Sequence, residues 1–131
     1  MNENTRSAIK SVFEASNNGS IHFGEVVGKL MAVQVESYHV DYRSGRSTYH
    51  LAGGETLDLS FDKPEHGIAE VFDSAAVRSA ILGAQQGKVM YPEFKHLSQA
   101  AGCASYTVWI AGRHVTYYGR KGETHIERFP N

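Results

Sequence analysis

The chain has one cysteine, three prolines and no long apolar run in 131 residues. A lone Cys103 cannot close an intramolecular disulfide, which fits a reducing compartment and leaves no thiol pair for redox chemistry. Met1 to Gly19 carries Glu3, Arg6, Lys10 and Glu14 without an apolar core. No signal peptide or membrane anchor is therefore expected there, and no later segment approaches spanning length. A cytoplasmic protein without membrane contact is the expectation. An excess of one charge is also missing, the formal net charge being −1. The basic surplus of the second half, Arg78, Lys88, Lys95, Arg113, Arg120 and Lys121 against Glu93, Glu123 and Glu127, is split between hairpin turns expected at opposite sheet ends, roughly 20 Å apart. Dedicated nucleic-acid binding is thereby disfavoured. No glycine-rich phosphate loop precedes a helix, since Ala52-Gly53-Gly54-Glu55 lies between strands, so no cofactor is expected.

What is present is an ordinary globular composition, 41% hydrophobic and 21% charged, at a length suited to a single domain spanning 1–131. Sliding the sequence against itself by 68 positions aligns residues 6–59 with 74–127 without a gap. The identities include Gly19/Gly87, Glu25/Glu93, Ser37/Ser105, Tyr38/Tyr106, Val40/Val108, Tyr49/Tyr117 and Gly54/Gly122. A tandem duplication of one helix-helix-three-strand unit is the expectation, joined by an acidic connector, residues 60–73, with Ile68, Val71 and Phe72 as anchors.

Each unit opens with apolar residues at i, i+3 and i+4, namely Ile9, Val12, Phe13 and Val77, Ala80, Ile81, one buried helical stripe. Asn4 and Asp73 are the expected N-caps, and Asn18-Gly19 and Gln86-Gly87 the stops. Second helices start near Phe23 and at Tyr91-Pro92, the latter stopped by Gly102. Alternation then marks strands: Tyr38, Val40, Tyr42 on one face against His39, Asp41, Arg43, and Tyr106, Val108, Ile110 against Thr107 and Trp109. Two-residue loops at Ser44-Gly45 and Gly112-Arg113 would set Val40 opposite Tyr49 and Val108 opposite Tyr117. Third strands follow at Thr56–Leu59 and Thr124–Glu127, in a register the sequence leaves open. The fold class is α+β: a pseudo-twofold antiparallel sheet of about six strands with helices on its apolar face.

The mixed face carries the candidate binding residues. The two-residue loop would put His39 opposite His50 beside Asp41, close enough to share a metal or polarise a substrate, and Thr107 opposite Tyr118 beside Trp109. Two histidines fall short of the three converging ligands a transition metal wants, so no metal site is assigned and solvated polar side chains are the simpler reading. Trp109 and Tyr118 could floor a small-ligand or partner site, or be covered by the connector or a second subunit. No serine or cysteine sits in a partnered nucleophile pattern. Cys103 aligns with Val35 and reads as a small buried thiol. Glu25 and Glu93 complement helix N-termini.

The stretches Gln85-Gln86-Gly87-Lys88-Val89-x-Tyr91, Ala101-Gly102-x-x-x-Tyr106 and Thr116-Tyr117-Tyr118-Gly119-Arg120-x-Gly122, with terminal Phe129-Pro130, resemble the YbcV-like bacterial family of unknown function. Some of its members carry a "phage envelope protein" label through prophage context. The resemblance implies bacterial origin and fold, and carries over no catalytic residue. Three readings stay open. The favoured one is a non-catalytic binding or accessory module for a small ligand, a protein partner or its own twin as a homodimer. The second is a small hydrolase-like enzyme using His39, Asp41 and His50. The third is a phage-derived interaction or structural component.

Overall fold

The computed structural model describes residues 1–130 and orders them as two runs of helix, helix, strand, strand, strand. The first run is α1 (Glu3–Asn17), α2 (Phe23–Ala32), β1 (Val35–Asp41), β2 (Arg46–Leu51) and β3 (Thr56–Ser60). The second is α3 (Ser74–Gln85), α4 (Tyr91–Ala100), β4 (Cys103–Trp109), β5 (His114–Gly119) and β6 (Thr124–Arg128). From α4 onward, each element of the second run begins and ends 68 residues after its counterpart. No helix among the described residues is long and apolar enough to cross a membrane.

Helix ends follow local chemistry. Asp73 accepts from Ala76 N at 3.0 Å, as expected of a cap. The cap of α1 is Asn2, whose Oδ1 accepts from Thr5 N at 2.8 Å, and Asn4 lies inside the helix. The asparagine two residues earlier wins because its side chain can reach the free N–H groups of the first turn. Pro92 is the second residue of α4, a position whose N–H is also free.

The six strands form one antiparallel sheet in the order β3-β2-β1-β4-β5-β6. The two runs thus meet through their first strands. In that central pairing His39 faces Thr107, Tyr38 faces Val108 and Val40 faces Tyr106. His39 and Thr107 are themselves 68 residues apart, so a local twofold passes between them. His39 Nδ1 and Thr107 Oγ1 share a hydrogen bond of 2.7 Å there.

The hairpin loops correct the expected register. Four residues, Tyr42–Gly45 and Ile110–Arg113, turn at each hairpin, giving Tyr38 opposite Tyr49, Val40 opposite Ser47, Tyr106 opposite Tyr117 and Val108 opposite Val115. The loops are longer because Tyr42 and Ile110 are anchored in the core, both essentially unexposed, the Tyr42 hydroxyl lying 2.8 Å from Ser98 Oγ. Each loop then closes through a last residue of positive φ, Gly45 at 68° and Arg113 at 61°. A shift of two residues keeps the side-chain alternation, so every residue stays on its expected face while its opposite number changes. The third strands pair with Tyr49 opposite Leu57 and Tyr117 opposite His125.

The apolar sheet face, Tyr38, Val40, Tyr49, Leu51, Leu57, Tyr106, Val108, Val115 and Tyr117, packs with Ile9, Val12, Val26, Val27, Leu30, Val77, Ala80, Ile81 and Phe94 of the helices. Ile9 and Leu30 are fully enclosed, burial worth about 1.5–3 kcal/mol for each side chain. The connector is pinned to the end of α4, with Ala69 N donating to Gln99 O at 3.1 Å and Asp73 N to Ala101 O at 2.8 Å. Ile68 and Phe72 pack against the core, whereas Val71 is 75% exposed and is no anchor.

Candidate functional site

The mixed face has three central rungs, each crossing all six strands. Asp58, Thr48, His39, Thr107, Thr116 and Ile126 form the middle rung. Thr56, His50, Ser37, Trp109, His114 and Arg128 form one neighbour, and Ser60, Arg46, Asp41, Ser105, Tyr118 and Thr124 the other. His39 is therefore opposite Thr48 rather than His50, and the two histidines stand diagonally, roughly 7–8 Å apart by sheet geometry. Thr107 is opposite Thr116 rather than Tyr118. Trp109 and Tyr118 end up four residues apart along the strands, roughly 13 Å, and do not form one aromatic floor. Trp109 lies beside His114, with ring centroids 6.2 Å apart, and donates to Thr116 Oγ1 at 3.2 Å. Tyr118 lies beside His39 at 6.3 Å.

His39 is half-buried, and burial lowers its pKa below the ordinary 6.5; nearby Asp41 opposes that shift and His50 adds to it. It is a neutral imidazole committed to Thr107. Asp41 accepts from Arg43 N at 3.0 Å, closing its own turn, and His50 is exposed. No cluster of three or more histidine, cysteine, aspartate or glutamate side chains is placed to hold a metal among the described residues.

The other side of the sheet holds a cavity of about 90 Å³, for which residue type and spacing carry no direct signal. Tyr38, Val40, Tyr106 and Val108 of the two central strands floor it, flanked by Tyr49 and Tyr117. The last turns of α1 and α3 and the first residues of α2 and α4 close it above, and Glu127 to Pro130 line one side. Most lining positions come in pairs 68 residues apart, including Asn17 and Gln85, Ile21 and Val89, Val26 and Phe94. The cavity thus straddles the local twofold.

Its aromatic walls are held in fixed order. Tyr38 stacks on Tyr49 with centroids 5.2 Å apart, and Tyr106 packs on Tyr117 at 5.6 Å. Phe94 lies edge-on to Tyr106 at 6.4 Å and tilted on Tyr117 at 6.2 Å. These separations are those aromatic pairs prefer. The Tyr106 hydroxyl donates to the Tyr91 hydroxyl at 2.5 Å. In the first half Val26 stands where Phe94 stands in the second, and both line the cavity.

Burial raises the pKa of Tyr38, Tyr49, Tyr91, Tyr106 and Tyr117, so the walls are neutral phenols across the physiological range. Burial likewise pushes the Cys103 thiol up to about 12, so it stays protonated and is a poor nucleophile.

Two of the polar side chains among the lining residues are Asn17 and Glu127. Asn17 Nδ2 donates to Phe13 O at 2.9 Å, which fixes the amide orientation and leaves Oδ1 buried with no partner. It is the single such side-chain atom among the described residues. Glu127, where the first half has Leu59, meets His125 Nε2 at 3.1 Å and Arg78 Nε at 3.8 Å. The paired tyrosines were visible in the sequence as core positions. Their signal as a site was the choice of tyrosine over valine or leucine, because a buried hydroxyl asks for a partner. The free Asn17 acceptor had no sequence signal.

Uncharacterised proteins of Mycobacterium bovis and Mycobacterium tuberculosis are 31% identical over 86 residues, covering 64% of this chain and 52% of theirs. The chain spans about half the length of these curated relatives. Residues 10–127, nearly the whole described fold, match a family described as a protein of unknown function, DUF1398, and the chain belongs to that family.

Proposed function

We propose that this chain is a non-catalytic binding module whose site is the tyrosine-walled cavity between sheet and helices. The observation that carries this reading is a cavity of about 90 Å³ on the local twofold, walled by Tyr38, Tyr49, Tyr106, Tyr117 and Phe94. Native interiors hold few voids larger than a water molecule. A bound molecule would supply the packing contacts that the cavity walls lack. The protonated phenols give the cavity surfaces to bind with and no activated nucleophile.

The same reading takes the two halves as descendants of one duplicated unit in a single domain, since the strand bounds, the identities and the cavity lining all share the 68-residue offset. It places the protein in the bacterial cytoplasm, in keeping with the lone Cys103 and with the resemblance to a prophage-associated family. On this view the mixed face, with Trp109 38% and Ile126 60% exposed, is secondary: a surface for a protein partner or a second copy.

A thermal-stability screen of small organic molecules tests the proposal. A ligand supplied at one hundred times its Kd adds about 2.7 kcal/mol and should raise Tm by roughly 10 °C at this chain length. A cooperatively folded protein whose Tm no compound moves would sink the binding reading.

A further inference from the structure

We infer that this chain pairs with a second copy of itself along β6, so that the six-stranded sheet runs on through a twofold axis at Ile126. The sheet order leaves two strands at its edges, β3 and β6. An edge strand presents unpaired N–H and C=O groups to any chain that can match them, and a charge set on the strand blocks such pairing. The two edges are counterparts at the 68-residue offset, and they have diverged. At the middle of β3 stands Asp58, held by a 2.6 Å hydrogen bond from Thr48 Oγ1. At the middle of β6 stands Ile126, 60% exposed.

The backbone of β6 is oriented for pairing. Gly119 N donates to Glu123 O at 2.8 Å and Phe129 N to Arg113 O at 3.0 Å, so Glu123, His125, Glu127 and Phe129 bond towards β5. Alternation along an antiparallel strand then turns the N–H and C=O of Thr124, Ile126 and Arg128 outward. A copy laid antiparallel about Ile126 sets Ile126 opposite Ile126, Thr124 opposite Arg128 and His125 opposite Glu127. Apolar meets apolar and imidazole meets carboxylate, a contact those two side chains already make within the strand at 3.1 Å. The same operation on β3 sets Asp58 directly against Asp58, which repels. Charge thus closes one edge to self-pairing and leaves the other open.

The helix over each edge follows the same division. Arg78 Nε lies 3.8 Å from Glu127 Oε1, which sets this side of α3 over β6. One turn further, on the same side, Leu82 is 37% exposed, whereas its counterpart on α1 is the exposed Glu14. Ala75 and Ser79 beside it are small and exposed, so α3 of a second copy can approach across the axis. The axis stands perpendicular to the sheet, which keeps the helices of both copies on one side and leaves the mixed face uncovered.

Sedimentation of the full chain from about 1 µM to about 1 mM, a range that covers weak and tight association, should show monomer passing to dimer. Ile126→Asp, which copies the other edge, should weaken the dimer at least about tenfold and leave the circular dichroism of dilute protein unchanged. Leu82→Glu, which copies α1, should weaken it too. Amide hydrogen exchange of the unaltered protein should slow with concentration at Thr124, Ile126 and Arg128, and stay fast at Thr56, Asp58 and Ser60. That measurement decides the matter should either variant fail to fold. A chain that stays monomeric to about 1 mM would overturn the inference. So would a dimer that Ile126→Asp leaves intact, or exchange that slows along β3 or around Trp109 instead of along β6.

Discussion

Raising the pH above about 10 should unfold this protein in one steep step. Tyr38, Tyr42, Tyr49, Tyr91, Tyr106 and Tyr117 all have pKa values raised above the ordinary 10.0, burial being the first cause for each. In the unfolded chain these phenols lose their protons near 10, whereas in the folded chain they keep them. Above pH 10 the unfolded state therefore binds fewer protons, and stability falls as pH rises; below it their contribution is fully present. Each group costs about 1.4 kcal/mol per pH unit beyond its unfolded pKa, so the six together remove about 8 kcal/mol per unit. Against a typical total of about 5–15 kcal/mol, unfolding should be complete within about two pH units. Tyrosinate absorbance and far-ultraviolet circular dichroism, followed together, should change in the same narrow interval. Phenols that titrate gradually near pH 10 while the dichroism stays native would show that these rings are solvated and the cavity walls are not as described.

Gly102→Ala should be among the most damaging single substitutions. Gly102 has φ +91°, and a Cβ there would collide with Val71 O and meet Phe72 Cα at 2.8 Å. Both contacts are backbone, so no side-chain rotation relieves them. They are also where the connector lies across the end of α4, next to the Asp73 N to Ala101 O bond. Left-handed strain alone costs about 1–2 kcal/mol, and displacing the connector brings the loss to about 3 kcal/mol or more. Gly54 is the control: its φ is +94° with open space around the added Cβ, so Gly54→Ala should show only the strain. Urea unfolding of both variants measures the difference. Equal losses for the two would mean that the connector does not pack on Gly102.

The division of the sheet into an apolar and a mixed face was legible from Tyr38, Val40 and Tyr106, Val108 alone, because alternation depends only on the two-residue period of a strand. Register was not legible, because it depends on where the chain turns. Tyr42 and Ile110 continue the alternation and look like strand residues, yet both belong to four-residue loops tied into the core. Two residues of error in each hairpin set His50 diagonal to His39 rather than opposite it and separated Trp109 from Tyr118, which changed the pairings on the mixed face but not its membership. The 68-residue offset recurs in the pairing of the central strands. Once β1 pairs with β4, a twofold between the halves must set some residue opposite its own counterpart, and His39 with Thr107 is that pair. The cavity lay beyond reach for a different reason. Missing volume is a property of how Val26, Phe94 and the tyrosines meet, and a free acceptor is a property of where Asn17 lies; neither is written in residue type or spacing.

On the binding reading, ligands enter between the sheet and the helices and leave the open sheet face alone. NMR spectra of protein labelled at tyrosine, histidine and tryptophan, recorded during titration with a compound that raises Tm in the thermal screen, decide between the two faces. Saturable shifts are expected at Tyr38, Tyr49, Tyr106 and Tyr117, with Trp109, Tyr118 and His50 unmoved. Saturable shifts confined to Trp109, Tyr118, His39 and His50 would contradict that reading and return the binding site to the mixed face.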